Sequence, residues 1–359
     1  MNKDLHGGNI YKFQREGKND VLDYSSNINP LGVPQKFIDI AKESFNKLVN
    51  YPDPYYIELR KKIAEFNSVD MDNIIVGNGA TEILFLYIRA LKPKKVLILA
   101  PCFAEYERAL KSVSTYIEYF ELKESDNFYP NIINLKKEIE NNNYDLLLFC
   151  NPNNPTGQFI KLEDIKEIIE ICENKNTKIF IDEAFIEFIE NWKEKTVSLL
   201  KNKNIFIMRA FTKFFAIPGL RLGYGIAFDD EILRKMWEEK EPWTVNTFAN
   251  LAGLTMLDDK EYIEKSEKWI LEEKKFMYKE LSEFQYIKAY KTECNFILIK
   301  IYNTSSASLR DKMIEKNILI RDASNFKFLD YHFVRLAIKD RKSNLKMMET
   351  LAEFVEYRG

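Results

Sequence analysis

Seven short apolar runs recur between residues 73 and 227, and they narrow the possible folds more than any other feature of this chain. They are Asn73–Val76, Lys95–Leu99, Thr115–Phe120, Asp145–Phe149, Lys178–Ile181, Ile205–Arg209 and Leu222–Ala227. Ile, Val, Leu and Phe fill them with little polar alternation, which is the pattern of strands covered on both faces. Helical patterning separates several of them, at Thr81–Leu91, Phe103–Val113 and Leu162–Asn174. Strands alternating with helices predict an α/β fold around a mostly parallel, seven-stranded sheet.

Before and after this block the pattern is different. The first thirty-five residues carry turn formers and one expected short strand around Val21–Tyr24. Helical patterning begins near Gln35, breaks at Asn50-Tyr51-Pro52-Asp53-Pro54 and resumes over Tyr56–Asn67. Beyond Trp243 come a long amphipathic helix at Lys260–Phe284, strands at Phe296–Ile301 and Phe333–Ala337, and helices at Ser305–Lys316 and Arg341–Tyr357. A chain of 359 residues exceeds one simple core. The expected division is an N-terminal arm at 1–35 joining the small domain, a large domain at 36–243 and a smaller α+β domain at 244–359.

Several function classes are disfavoured. A net charge of −2 offers no footprint for nucleic acid or an anionic membrane. The four cysteines lie far apart without a C-x-x-C pair, which suits reduced thiols better than disulfides or zinc. Two histidines, His6 and His332, rule out a multi-histidine metal centre, and no metal is expected. No run approaches the roughly 18 apolar residues of a membrane span. The opening MNKDLHGGNIYKF lacks the apolar core of a signal peptide, so a cytoplasmic location is expected.

Four motifs carry chemistry. Lys213 follows the run Ile205–Arg209 and is trailed by Phe214 and Phe215; an amine held among apolar groups loses solvation and becomes nucleophilic. Taken alone it reads more simply as a lysine reaching outward from a strand end, and the neighbouring motifs reverse that reading. Asp182 closes a buried run, where α/β sheets bind ligands, and a buried carboxylate needs a cation or strong donor. A protonated pyridine nitrogen would serve; capping the next segment is the plainer role. Gly77-Asn78-Gly79-Ala80-Thr81 leads a strand into a helix, whose free N–H groups can cradle phosphate. It has neither the dinucleotide G-x-G-x-x-G spacing nor the P-loop G-K-[ST]. Cys150-Asn151-Pro152-Asn153-Asn154-Pro155-Thr156-Gly157 is a rigid turn able to hold one amide against a ligand oxygen.

In this order and spacing the four motifs resemble the fold-type I pyridoxal-phosphate (PLP) enzymes of the aspartate aminotransferase superfamily, over essentially the whole chain. The resemblance implies that Lys213 is the Schiff-base lysine and that Asp182 pairs with the pyridine nitrogen. It places Asn154 on the cofactor's phenolic oxygen and Ala184 beneath the ring. Phe103 would stack on the other face, and Gly79, Ala80, Thr81 and Arg221 would hold the phosphate, with Thr212 beside them. Tyr51 matches a tyrosine that reaches the phosphate of a neighbouring subunit, which implies a homodimer. Two donors common in the superfamily are missing: Phe185 stands where many members have tyrosine, and Ala210 where many have serine.

A narrower resemblance lies in His6-Gly7-Gly8-Asn9, Asp23-Tyr24-Ser25-Ser26-Asn27 and Thr212-Lys213-Phe214, which look like the threonine-phosphate decarboxylase family of cobalamin biosynthesis. That family converts L-threonine O-3-phosphate to (R)-1-aminopropan-2-ol phosphate and carbon dioxide. Histidinol-phosphate aminotransferase shares nearly every cofactor residue; the HGGN element and Phe185 favour the decarboxylase. Either way the expected partner is a small phosphorylated amino acid or amine. The resemblance puts Arg335 on its carboxylate and Arg321 on its phosphate, with His6 and Asn27 closing the pocket from the arm. A non-catalytic regulator or scaffold on the same fold is the alternative from another class. The retained lysine speaks against it, as does the absence of a helix-turn-helix pattern before Tyr24.

Overall fold

The computed structural model describes residues 6–356. The arm contributes β1 (Leu22–Asp23), and the seven apolar runs each become a strand: β2 (Ile74–Asn78), β3 (Lys95–Ala100), β4 (Tyr116–Glu121), β5 (Leu146–Cys150), β6 (Lys178–Asp182), β7 (Ile205–Ala210) and β8 (Leu222–Ala227). They form one sheet in the order β2-β8-β7-β6-β5-β3-β4. Its neighbours are parallel except at β8, which runs against both β2 and β7. This is the mostly parallel α/β sheet expected.

Side chains alternate along a strand, so a sheet covered twice must be apolar at successive positions. Ile75, Val96, Ile98, Leu146, Leu148 and Phe180 enter one apolar cluster, with Ile83, Leu84 and Tyr87 of the helix Gly79–Leu91. Ile74, Leu97, Leu99, Leu147, Ile179 and Ile181 enter the other, with Ile165 and Ile168 of the helix Leu162–Asn174. The strand β4 departs from the doubly buried expectation: it lies at the sheet edge, and its side chains are half-exposed or exposed. Charges such as Glu118 and Glu121 suit an edge because they discourage pairing with another chain.

The later residues build β9 (Ile287–Ala289), β10 (Phe296–Ile301), β11 (Ile318–Leu319), β12 (Arg321–Asp322) and β13 (Phe333–Ala337). Four of them make an antiparallel sheet, β12-β13-β10-β9, in which Arg321 stands directly opposite Arg335. The long helix covers Lys260–Ser282, and the last helix, Arg341–Ala352, stops short of the expected end; Tyr357 lies outside the described residues. The arm is more ordered than its turn-rich sequence suggested. It carries a helix at Ile10–Arg15, and β1 pairs in parallel with β11. Among the described residues no helix is long and apolar enough to cross a membrane.

Candidate active site

The carboxyl end of a parallel strand is where an α/β sheet presents ligand-binding loops. Here β2, β3, β5, β6 and β7 all end on one rim, and each is followed by one of the motifs. Phe103 follows β3, Asn154 follows β5, Asp182 ends β6 and Lys213 sits in the short helix Phe211–Phe214 after β7. The antiparallel β8 starts on the same rim, which brings Arg221 there. A cavity of about 460 Å³ opens at this point. It is lined by Ala80, Thr81, Phe103, Asn154, Asp182 and Ala184 from the first loops, and by Thr212, Lys213 and Arg221 from the last. His6 and Asn27 of the arm, with Arg321 and Arg335, complete its wall. Of the residues named from sequence, Gly79 lies just behind the wall and Tyr51 lies away from it.

The anion cradle depends on close backbone approach. Gly79 opens the helix Gly79–Leu91 at φ +76°, and a Cβ there would sit 2.3 Å from Arg221 Nη2. Only glycine meets both conditions. Arg221 itself has φ +63°, an uncommon backbone for a residue with a side chain. The orphan N–H groups of a helix start, the Thr81 hydroxyl and one guanidinium thus face one volume, which suits a phosphate. Ala210 also faces the cavity and offers no hydroxyl.

Lys213 and Asp182 both line the cavity as buried ionisable groups. Burial, reinforced by Arg335 and Arg221, lowers the Lys213 amine to about 8. Burial raises the Asp182 carboxyl to about 6, opposed by two donors. Its Oδ2 accepts from Tyr106 Oη at 2.6 Å and its Oδ1 from the Ala184 N–H at 2.8 Å. The arm buttresses the lysine segment: the Asn29 N–H donates to the Lys213 carbonyl at 3.1 Å, and Asn29 Nδ2 to the Phe214 carbonyl at 2.8 Å. A pocket holding a nucleophilic amine, a buried acid and an anion cradle fits PLP group by group.

The two arginines opposite the cradle are both buried. Arg335 Nη1 donates to Asn154 Oδ1 at 2.5 Å and Nη2 to the Ser25 carbonyl at 2.7 Å. Its Nε is buried without a partner among the described residues, as is Asn27 Oδ1. Burial and the neighbouring Arg321 lower the Arg335 guanidinium to about 9. Arg321 donates to the Asp322 carbonyl and to Asn325 Oδ1, the latter at 2.7 Å. His6 crosses from the arm to Glu105, with Nε2 2.9 Å from Oε1 and its ring 5.5 Å from that of Phe103. Phe185 packs edge-on against Phe296 and leaves the cavity without a second phenol at that point.

Tyr51 is 80% exposed and rests against Trp243, with ring centroids 4.8 Å apart, so its own chain does not bring it to the cavity. Sequence reasoning missed Tyr106 and Glu105, although both lie in the expected helical stretch Phe103–Val113; helical spacing from Phe103 could have placed Tyr106 on the same side. It also missed the buried pair Glu183–Arg209. Arg209 Nη2 lies 2.7 Å from Glu183 Oε2, both groups wholly buried, so the strand ends bearing Asp182 and Lys213 are tied together. Removing one member of such a pair costs about 3–5 kcal/mol, which explains why the charges occur together.

Comparison with known proteins places this geometry in context. The family model for aminotransferases of class I and II matches residues 19–351. A Caldanaerobacter subterraneus subsp. tengcongensis protein, provisionally named threonine-phosphate decarboxylase, is 43% identical, covering 98% of this chain and 94% of its own length. The threonine-phosphate decarboxylase of Salmonella typhimurium is 33% identical, with 96% and 95% covered. The crystal structure of a histidinol-phosphate aminotransferase from Clostridium acetobutylicum matches with a TM-score of 0.87 and 38% identity, covering 93% of this chain and 98% of that one.

Proposed function

The chain belongs to the class I and II aminotransferase family and is a catalytic, PLP-dependent enzyme of fold-type I, and from that premise we propose that it decarboxylates L-threonine O-3-phosphate to (R)-1-aminopropan-2-ol phosphate. The observation that carries the substrate class is the pairing of Arg321 and Arg335 across β12 and β13. Like charges directly opposite in a sheet repel, and buried ones more so. Both line the cavity, so a ligand with two anionic groups relieves them. Guanidinium forks suit carboxylate and phosphate alike. The choice of decarboxylase rests on the arm, whose His6 and Gly7 line the cavity, His6 beside Phe103.

In this reading Gly79, Ala80, Thr81 and Arg221 hold the cofactor phosphate, Asp182 faces the ring nitrogen, Asn154 the phenolic oxygen, and Phe103 and Ala184 its two faces. PLP, when bound, supplies the electron sink for a bond broken at the substrate's Cα. The chain decides which bond that is. Arg335 takes the carboxylate and Arg321 the phosphate, His6 and Asn27 close the mouth, and together they set the orientation at Cα. A shift of about 1 Å changes such rates on the order of a hundredfold. Lys213 Nζ then returns a proton to Cα. The arm at 1–35 and the residues from 244 onward form the closing side, against a cofactor-binding body at 36–243.

The 38% identity to a histidinol-phosphate aminotransferase of known structure favours a second reading, transamination of histidinol phosphate. One paired assay separates the two. Purified enzyme with PLP and threonine phosphate is expected to release carbon dioxide without any keto acid. Amino transfer from histidinol phosphate that requires 2-oxoglutarate, with no carbon dioxide from threonine phosphate, would replace the first reading by the second.

The same proposal makes the enzyme a homodimer. Phe45, Val49, Tyr51 and Trp243 are exposed, at 63%, 85%, 80% and 45%, in the stretch that holds Tyr51 away from its own cavity. In the dimer Tyr51 serves the second copy's phosphate. Val49→Asp is expected to raise the dimer dissociation constant roughly 30-fold, the effect of losing about 2 kcal/mol at an interface. Sedimentation velocity measures this, and PLP should leave the monomer more readily. A wild-type chain that sediments as a fully active monomer would remove the shared site.

A further inference from the structure

We propose that Tyr106 is a positioning residue for the cofactor, its hydroxyl fixing Asp182 so that the carboxylate turns one charged edge toward the ring nitrogen. The proposal rests on the cofactor reading of Asp182 and is indifferent to which reaction follows.

Tyr106 and Asp182 are 76 residues apart in sequence and both buried, and their oxygens meet at 2.6 Å. Tyr106 comes from the helix Glu105–Lys111, which begins two residues after Phe103. One short element thus supplies a ring for the cavity wall and a donor for its floor. Phe103 and Tyr106 meet edge to face, with centroids 5.7 Å apart, so the phenol has little freedom to swing away. Burial and the adjacent Asp182 keep that phenol protonated, and it can only donate to the carboxylate. Among the described residues it is the sole hydrogen-bond donor to Oδ2, while the Ala184 N–H occupies Oδ1.

The surroundings show why a donor is needed. Asp182 is flanked by Cys150, its register partner on β5, and by Glu183, with Lys213 at greater reach. Cys150 gives its thiol to the Pro152 carbonyl at 3.0 Å, and Glu183 is engaged by Arg209. Burial acts against the charged carboxylate, and the phenol acts for it. A carboxylate that kept its charge but rotated freely would hold the ring nitrogen poorly. Two donors on fixed backbone elements settle its plane.

Equilibrium binding of PLP to apoprotein tests this without recourse to turnover. Tyr106→Phe removes one oxygen atom and is expected to weaken PLP binding about tenfold, the effect of losing one hydrogen bond to a charged group. The unfolding midpoint of the apoprotein should stay near wild type. In an Asp182→Asn background the same substitution should change the dissociation constant by less than about twofold, because the two groups act as one unit. An unchanged constant in Tyr106→Phe overturns the proposal, as does a tenfold loss that persists with Asn at 182, since Tyr106 would then act through packing. Asp182→Asn that leaves PLP affinity intact would remove the reading of Asp182 itself, and the proposal with it.

Discussion

Lys213→Ala is expected to lose turnover by a factor on the order of 10⁴, the upper range for a group that moves protons in the rate-limiting step. The protein should still fold, because Lys213 lines the cavity rather than packing the core. Its PLP-bound visible absorbance should vanish, since the imine bond to the lysine is gone. A mutant retaining that band would show that another amine carries the cofactor. The wild-type amine offers a second readout. Burial lowers it to about 8, and the neutral amine is the attacking form. Recombination of apoenzyme with PLP should therefore rise about tenfold per pH unit up to about 8 and level off above it. A lysine in water would keep rising toward 10.4.

Arg335→Leu is expected to lower kcat/KM roughly 10²–10³-fold, as losing one partner of a buried charge pair costs about 2–5 kcal/mol. PLP affinity should change little by comparison. The guanidinium has two of its nitrogens engaged, on Asn154 and Ser25, and keeps Nε without a partner among the described residues. Arg335→Lys should recover part of the charge and little of the two-pronged fit. Steady-state kinetics on threonine phosphate, set beside inhibition by the product 1-aminopropan-2-ol phosphate, which lacks the carboxylate, separate the explanations. A loss of product affinity as large as the loss in kcat/KM would move Arg335 away from the carboxylate.

Much of this was legible in sequence, for a physical reason. Strands sealed on both faces cannot hide their composition, so β2, β3 and β5 to β8 stood out as apolar runs within a residue or two of their ends. Lys213, Asp182 and Asn154 stood at the ends of those runs, where the parallel sheet exposes its loops. The short strands β9 and β12 were not visible; two or three residues leave no periodicity, and Arg321–Asp322 is wholly charged. Nor did the arm's helix at Ile10–Arg15 announce itself, since it buries none of its residues. Tyr106 escaped because the partner that gives it meaning lies 76 positions away. Arg209 stood in sequence only as the last residue of an apolar run, and the three-dimensional register alone shows its pairing with Glu183.

Arg221 holds a left-handed backbone so that its guanidinium can meet the helix opened by Gly79. For a residue with a side chain that posture costs on the order of 1 kcal/mol. Glycine at 221 would relax this backbone and, under the proposed function, raise the melting temperature while weakening the hold on the cofactor phosphate.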